Sequence, residues 1–261
     1  MILKVSHLVF SSTDFEENSL ELTSLGYNCI FTEKSIKNSE VKRSLFQHFY
    51  QWHDVRYFTF PSSVSVELLN WRSQSDRQSN FVPVFENIKQ NNSLISQQRK
   101  FNCDDLFSFS ECALRTLELP IFTIQQKDAP SKLNALLVKT NHLEKSISFW
   151  QLFRFVVREK KDNFALLELT SFLPQSPVFQ LYLEQTKRIN ENPCLDDRGV
   201  SCISFLSSSA PREKDLLKSK GFPIIDVGGL LINGKMLTVF FTLGPCGELV
   251  EVIDVKEVDS N

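Results

Sequence analysis

The stretch Gly244-Pro245-Cys246-Gly247-Glu248-Leu249-Val250-Glu251-Val252-Ile253 is the most informative part of this chain. A Pro/Gly turn opens it, and the apolar residues that follow predict a β-strand that carries the carboxylate of Glu251. Successive side chains of a strand point to opposite faces, so Glu251 points away from Val250 and Val252. Such an acid lies either on a solvated face of the sheet or inside a cavity as a ligand.

The same arrangement occurs near the N-terminus, where Ser63-Val64-Ser65-Val66-Glu67-Leu68-Leu69 places the carboxylate of Glu67 in an apolar strand. Two copies of this unusual strand indicate a repeated module. Three segments share the order strand, capped helix and group of strands, namely residues 1–72, 133–185 and 199–254. In the first segment, Ser11-Ser12-Thr13-Asp14 is expected to cap the helix, with Glu16 at the capping-box position relative to Thr13. Val41–Phe49 is expected to be a strand.

The region between the first two copies is less regular. It begins with a polar loop at Ser73–Asn80, and its pattern predicts a short helix over Phe85–Gln98. Asp105–Phe109 and Ile121–Gln125 follow as expected strands. Residues 73–130 are therefore either a degenerate fourth module or an insertion, and periodicity leaves both alternatives open.

Three motifs resemble those of the vicinal oxygen chelate (VOC) superfamily, which includes glyoxalase I, extradiol dioxygenases and bleomycin-resistance proteins. Val5-Ser6-His7-Leu8-Val9-Phe10 is similar to its opening strand, and Asn141-His142-Leu143-Glu144-Lys145-Ser146-Ile147-Ser148-Phe149-Trp150 to its first helix. Gly244–Glu251 is similar to its closing strand. The resemblance implies an α+β fold, in which repeated βαβββ modules pair into curved, open, barrel-like sheets with helices outside.

The resemblance also implies a domain division. Pairing of neighbouring modules gives an N-terminal domain of residues 1–130, formed by the module 1–72 and the divergent region 73–130. It gives a C-terminal domain of residues 131–261, formed by the modules 133–185 and 199–254.

In this family the first and last strands of a module supply His or Glu ligands to a divalent ion. Transfer of that pattern onto the chain gives one pair of positions in each of the three regular modules: His7 with Glu67, Ala135 with Gln180 or Tyr182, and Cys202 with Glu251. The resemblance therefore implies His7 and Glu67 as metal ligands, with Glu251 as a further candidate.

Each candidate ligand has an alternative interpretation. His7 and Glu251 can be structural or solvated residues of their strands, and Cys202 can be a small buried side chain. If the modules 133–185 and 199–254 pair, their shared site holds Ala135, which cannot bind a metal. We therefore expect at most one divalent ion per chain, at the N-terminal module, or none; Zn, Fe, Mn, Ni and Mg all suit His and carboxylate ligands.

An aromatic stretch, Phe46-Gln47-His48-Phe49-Tyr50-Gln51-Trp52-His53-Asp54, supplies further candidates for a cavity. We expect His48, Trp52 and His53, together with Cys202, to line it. An ordinary loop with exposed imidazole rings is the alternative.

Composition excludes some classes of function. With 29 basic and 31 acidic residues the net charge is −2, which is unlike a nucleic-acid-binding protein. No apolar run reaches the roughly 20 residues that span a bilayer. The six cysteines are scattered without a zinc-finger spacing, which predicts free thiols in a cytoplasmic protein.

Two functions follow from the resemblance. The first is a glyoxalase-like protein with an incomplete ligand set, which binds a small apolar or oxygen-bearing molecule in its cavity. The second is a metal-dependent lyase, isomerase or dioxygenase that acts on a small oxygen-bearing substrate. In both cases the partner is a small molecule rather than a nucleic acid or a membrane, and the assembly of two chains into a homodimer is left open.

Overall fold

The computed structural model of the chain describes residues 1–71, 75–86, 95–103, 107–114, 120–124, 132–174 and 176–256. These residues form four modules. Module 1 consists of β1 (Ile2–Ser12), α1 (Phe15–Ser24), β2 (Asn28–Lys37), a 3₁₀ helix (Glu40–Leu45), β3 (Trp52–Thr59) and β4 (Ser65–Asn70). Module 2 consists of β5 (Phe81–Glu86), β6 (Ile95–Cys103), β7 (Phe107–Leu114) and β8 (Pro120–Ile124).

The C-terminal half contains the other two modules. Module 3 consists of β9 (Lys132–Thr140), α2 (Leu143–Leu152), β10 (Val156–Lys161), β11 (Phe164–Leu169) and β12 (Phe179–Gln185). Module 4 consists of β13 (Gly199–Ser207), α3 (Ala210–Ser219), β14 (Ile224–Ile232), β15 (Lys235–Leu243) and β16 (Leu249–Lys256). The turn Asn233-Gly234 joins β14 to β15, as its sequence predicts.

All four modules have the same strand topology. The first strand of each pairs in parallel with the last, and the other strands pair antiparallel. The region 73–130 therefore contains a fourth module rather than an insertion. The helix expected at Phe85–Gln98 is wrong at both ends, because β5 extends to Glu86 and β6 begins at Ile95; residues 87–94 lie outside the described part of the chain. The ladder between β5 and β9 overrides the local helical pattern.

The modules pair differently from the sequence-based expectation. β1 runs antiparallel to β13, and β5 runs antiparallel to β9. Modules 1 and 4 thus form one half of the sheet (half-sheet A), and modules 2 and 3 form the other (half-sheet B). The expected pairing within 1–130 and within 131–261 is wrong. The connection formed by residues 186–198 lets β13 join β1, where apolar pairs such as Leu8 and Ile203 are buried.

The sheet is open and curved, and its helices share one large core. Residues of all three helices, including Leu22, Trp150 and Leu217, belong to this core. Two separate apolar clusters lie elsewhere, one in each half-sheet. Helix α1 begins at Asp14, whose carboxylate accepts the Glu17 N–H at 3.0 Å, so Asp14 rather than Thr13 is the N-cap.

Residues 38–51, the inserted segment, connect β2 to β3. The strand expected at Val41–Phe49 is wrong, because Glu40–Leu45 is a 3₁₀ helix. Its buried residues, Lys42 and Leu45, are three apart, which is the repeat of a 3₁₀ helix and not of a strand. The inserted segment therefore places one lysine and one leucine on the same buried side.

Two expectations about the whole chain also meet the structure. The four cysteines whose side chains are described, Cys29, Cys194, Cys202 and Cys246, are all free thiols. Within the described residues, none of the helices has the length and apolar character required to cross a bilayer.

Candidate functional site

Three of the sequence-predicted ligands meet in half-sheet A. The Nε2 atom of His7 lies 3.6 Å from Glu67 Oε2 and 3.4 Å from Glu251 Oε2. The side chains of the two glutamates are 16% and 13% exposed, and that of His7 is 7% exposed. The sequence separated these residues into two domains, whereas the pairing of modules 1 and 4 brings them into one site.

Strand register explains why these residues meet. In β1 and β4, Val9 pairs with Glu67, and in the corresponding strands β13 and β16, Ser204 pairs with Glu251. The antiparallel ladder between β1 and β13 pairs His7 with Ser204. A carboxylate from each flanking strand is thereby placed beside the two central strands, close to His7.

The His7 ring is held on its other side by neighbours in the chain and the sheet. Its Nδ1 atom is 3.1 Å from the hydroxyl oxygen of Ser6, and its ring meets the Tyr57 ring edge-on with centroids 5.5 Å apart. Its Nε2 atom is buried and has no hydrogen-bond partner among the described residues. If Nδ1–H donates to Ser6, the lone pair of Nε2 points toward the two carboxylates.

Burial and the neighbouring charges shift the pKa values of His7 and Glu251. Burial lowers the pKa of His7, but the neighbouring carboxylates of Glu67 and Glu251 outweigh it and raise the pKa well above its ordinary value. Burial raises the pKa of Glu251, but His7, Ser204 and Lys42 outweigh that effect and lower it. The group is therefore a place where a positive charge is strongly favoured at the His7 position, either a proton or another cation.

Lys42 is a functional candidate that the sequence analysis missed. It lies on the 3₁₀ helix of the inserted segment and is only 8% exposed. Burial lowers the pKa of Lys42, against the opposing effects of Glu251, Glu67 and Cys202. A lysine within the polar run Glu40–Ser44 gives no sequence signal of burial. Only the 3₁₀ spacing from Leu45 distinguishes it from its exposed neighbours.

The four cavity candidates divide into two pairs. Cys202 is fully buried, and burial together with Glu251 and Glu67 raises the pKa of its thiol well above the ordinary value. His53 is also buried and packs on Trp71 at 4.8 Å between ring centroids. Burial and the charge of Lys42 lower the pKa of His53 to about 3.

His48 and Trp52 are not enclosed in a cavity. The side chain of His48 is 56% exposed, and its Nδ1 atom lies 3.9 Å from Asp196. Trp52 is 43% exposed at the start of β3. The aromatic stretch thus delivers one of its two histidines to the neighbourhood of Lys42, and it leaves the other at the surface.

Among the residues whose side chains are described, half-sheet B has no comparable group. Its strand register is the same, with Val82 opposite Leu137 and Tyr182 paired with Leu137. Three of the positions that correspond to the ligand candidates of half-sheet A hold Ala135, Tyr182 and Val82. None of these side chains is a usual ligand for a divalent ion. The chemistry of ligand binding is therefore concentrated in half-sheet A.

Two solved structures have a fold similar to that of this chain. Glyoxalase I from Zea mays is 15% identical, with a TM-score of 0.64 over 96% of this chain and 92% of that chain. A candidate dioxygenase from Bacillus subtilis is 10% identical, with a TM-score of 0.65 over 98% of this chain and 86% of that chain. This chain has the VOC fold. Neither a protein-family model nor a curated protein matches the sequence.

In this VOC-fold protein the distances from His7 suit a divalent ion better than they suit direct hydrogen bonds. Charge-assisted N–H···O⁻ hydrogen bonds are about 2.7–2.9 Å long, shorter than the 3.4 and 3.6 Å found here. Two ligands held about 2.1 Å from one ion at tetrahedral angles are about 3.4 Å apart. The distances from His7 Nε2 to the Glu67 and Glu251 oxygens are therefore those expected between ligand atoms of one ion.

The carboxylates of this VOC site flank His7 rather than touch each other. Both lie within 3.6 Å of His7, yet the three residues do not form a group whose ligand atoms are all within 4.8 Å of one another. A shared ion requires Glu67 and Glu251 to move toward each other by side-chain rotation. The donor set thus fits a divalent ion in kind, with one imidazole and two carboxylates.

A second group of ligand-type atoms lies outside half-sheet A's site. Cys194, Asp196 and Asp197 have ligand atoms within 4.8 Å of one another. Arg77 already occupies this group, with its Nη2 atom 2.7 Å from Cys194 Sγ and its Nε atom 3.3 Å from Asp197 Oδ1.

Asp196 in this group serves the inserted segment. Its two oxygens accept the backbone N–H groups of Gln47 at 2.9 Å and His48 at 3.0 Å. The donor types would also suit a metal, but the existing contacts assign Asp196 a structural role, because it anchors the segment that carries Lys42.

Proposed function

We propose that this protein is a divalent-metal-dependent enzyme of the VOC type that acts on a small substrate with neighbouring oxygen atoms. The observation that carries the proposal is the buried, unpartnered Nε2 atom of His7 between two carboxylates at 3.4 and 3.6 Å. His7, Glu67 and Glu251 would hold the ion, and the remaining coordination positions would be left for substrate oxygens. A bound divalent ion polarises such oxygens and stabilises the negative charge that develops on them.

The residues of the chain have distinct roles in this proposal. The Nδ1–H of His7 would donate a hydrogen bond to the Ser6 hydroxyl oxygen, which keeps Nε2 available as a ligand. Glu67 and Glu251 neutralise the charge of the ion and are slightly exposed, so a substrate can approach them. Tyr57 contacts the His7 ring edge-on and limits its rotation.

A metal-free binding protein is the second candidate, and one observation favours it. The raised pKa of His7 allows an imidazolium, which together with the Lys42 ammonium would balance the charges of Glu67 and Glu251. The site would then hold a small molecule without an ion. The two candidates differ in one measurable quantity, the metal content.

The experiment compares metal retention in matched variants. The purified protein is incubated separately with Mn²⁺, Co²⁺, Ni²⁺ and Zn²⁺, dialysed, and analysed by mass spectrometry for metal per chain. We expect about one ion per chain, and at least tenfold weaker retention in Glu67→Gln and Glu251→Gln. The control, Glu184→Gln, alters a partly buried glutamate of β12 in half-sheet B and should retain the ion.

A further variant tests the other group of ligand-type atoms. If Asp197→Asn abolishes retention while Glu67→Gln does not, the ion lies at Cys194, Asp196 and Asp197, and the proposal is wrong. Absence of any retained ion from the unmodified protein would favour the metal-free candidate. Circular dichroism of each variant separates loss of the ion from loss of the fold.

A further inference from the structure

The Lys42 ammonium lies over the strands that carry the site. Its Nζ atom is 5.8 Å from the centroid of the Phe241 ring, and Phe241 on β15 is the cross-strand partner of Glu251. Leu45, one 3₁₀ turn further along, packs in the same apolar cluster as Val9 and Cys202. The inserted segment thus directs Lys42 to the face of half-sheet A where His7 and the two carboxylates meet.

Apart from the Phe241 ring, this ammonium has no partner among the described residues. Within the part of the chain that the structure describes, it forms no hydrogen bond and no ion pair within 4.0 Å, although Lys42 is 92% buried. The preceding and following residues behave differently, since Val41 is exposed and Arg43 pairs with Glu40 at the surface. The Lys42 Nζ atom is not one of the completely buried polar atoms without a partner, so it keeps some access to solvent and to a small anion.

Backbone contacts hold the inserted segment that carries Lys42 in place. The Asn38 N–H donates to Gln51 O at 2.8 Å, which closes the base of the inserted segment. Leu45 O accepts the Leu195 N–H at 2.7 Å, and Asp196 holds the two amides that follow Phe46. The segment is thus fixed at both ends and in the middle, which keeps Lys42 over this face of the sheet.

We propose that Lys42 is a specificity-determining residue that binds the carboxylate of a small substrate beside the metal site. The inference rests on the proposed function, and it names the substrate class as a monocarboxylate with an oxygen on the adjacent carbon. With a divalent ion neutralising Glu67 and Glu251, one positive charge remains, that of Lys42. This charge favours a monoanion over a neutral molecule, and the apolar surroundings favour it over a dianion.

The charges also couple the anion to the ion. Without a divalent cation, Glu67 and Glu251 repel a carboxylate that approaches Lys42. Anion binding is therefore expected to require the ion, and by reciprocity the anion should strengthen retention of the ion.

The test uses glycolate, with ethylene glycol as the matched neutral probe. Binding of each is measured by titration calorimetry on the full-length protein loaded with Co²⁺ and on the same protein after chelation. We expect glycolate to bind the loaded protein at least tenfold more tightly than ethylene glycol, and to bind the chelated protein much more weakly. Lys42→Met should lose at least tenfold in glycolate affinity, keep its Co²⁺, and bind ethylene glycol as before.

Two further variants keep the test decisive. Lys42→Arg retains the positive charge and should retain most of the glycolate affinity, and Lys37→Met removes an exposed lysine at the end of β2 and should change nothing. If Lys42→Met and Lys42→Arg both hold Co²⁺ and bind glycolate as the unmodified protein does, this inference is wrong while the proposed function stands. If the unmodified protein retains no ion, the proposed function fails, and this inference fails with it.

Discussion

His7 Nε2 and Glu251 Oε2 lie 3.4 Å apart although they belong to the first and the last strand of the fold. This contact exists only because β1 pairs with β13, which in turn pairs with β16. The site is therefore a product of module pairing and not of any one module. An experiment that tests whether β1 pairs with β13 therefore also tests whether His7 and Glu251 can meet.

A single cysteine can report this pairing. Val9 on β1 is the register partner of Cys202 on β13, and both belong to the same apolar cluster. Paired residues of antiparallel strands have Cα separations of about 4.5–5.5 Å, which a disulfide can span. We expect Val9→Cys to form an intramolecular disulfide with Cys202 on oxidation, detected by peptide mass mapping.

The control places a cysteine at the equivalent residue of β9. Leu137 lies at the position in module 3 that Val9 occupies in module 1, and it pairs with Val82. Leu137→Cys should therefore leave Cys202 reduced. A disulfide between these two cysteines, and none in Val9→Cys, would show that modules 3 and 4 pair and that the strand order is wrong.

His53 should make the fold sensitive to mild acid. Its pKa falls to about 3 in the folded protein, because of burial and the charge of Lys42, against about 6.5 for an unfolded histidine. Below pH 6.5 the unfolded state takes up a proton that the folded state does not, so stability decreases as the pH falls. The loss is about 1.4 kcal/mol per pH unit, or about 2 kcal/mol at pH 5.

The measurement is the change in unfolding free energy between pH 7 and pH 5, from urea titrations. His53→Phe keeps an aromatic ring against Trp71 but cannot take up a proton. We expect the variant to lose about 2 kcal/mol less than the parent over this interval. Other acid-sensitive groups act equally in both proteins, so an identical pH dependence would contradict the assignment of His53 as a buried neutral imidazole.

Asp196 should control the mobility of the inserted segment. It is fully buried and accepts the amides of Gln47 and His48, so Asp196→Asn replaces one acceptor oxygen with a donor. We expect a loss of about 1–3 kcal/mol in stability and faster hydrogen exchange at these two amides. Asp226→Asn, which removes an exposed ion pair with Lys214, should cost less than about 1 kcal/mol and leave that exchange unchanged.

The sequence predicted the strands of the site better than their assembly. Glu67 and Glu251 stand out because a polar residue within an alternating apolar strand is visible in one dimension, and the resemblance to the VOC superfamily added His7 as a predicted ligand. Their meeting was missed because neighbouring modules were expected to pair, and nothing in the periodicity of β9 or β13 states which partner each strand selects. Strand pairing depends on long-range packing, such as the contact of Leu8 with Ile203.

Lys42 shows a different limit. The run Glu40-Val41-Lys42-Arg43 is polar apart from one valine, and it is that valine which is exposed while the lysine is buried. The 3₁₀ turn reverses the expected burial, and tertiary contacts from Leu195 and Asp196 select it. Lys42 is buried through contacts with residues about 150 positions further along the chain, so its burial leaves no local pattern in the sequence.

Cys202 is expected to stay a neutral thiol when the site holds an ion. It occupies the position of module 4 that corresponds to His7, and its Sγ atom lies 3.6 Å from Ile203 O. Three anionic ligands around one divalent ion would also leave a buried negative charge. Ligation by His7, Glu67 and Glu251 alone avoids that charge.

Two measurements on the Co²⁺-loaded protein test this expectation. A thiolate ligand gives a sulfur-to-cobalt charge-transfer band in the near ultraviolet, and we expect no such band. Cys202→Ala should retain Co²⁺ as the parent does, at a cost of about 1 kcal/mol in stability for the lost sulfur contacts. Loss of Co²⁺ from Cys202→Ala, or a charge-transfer band that this substitution abolishes, would make Cys202 a fourth ligand. The site would then carry no net positive charge toward a substrate even with Lys42 in place.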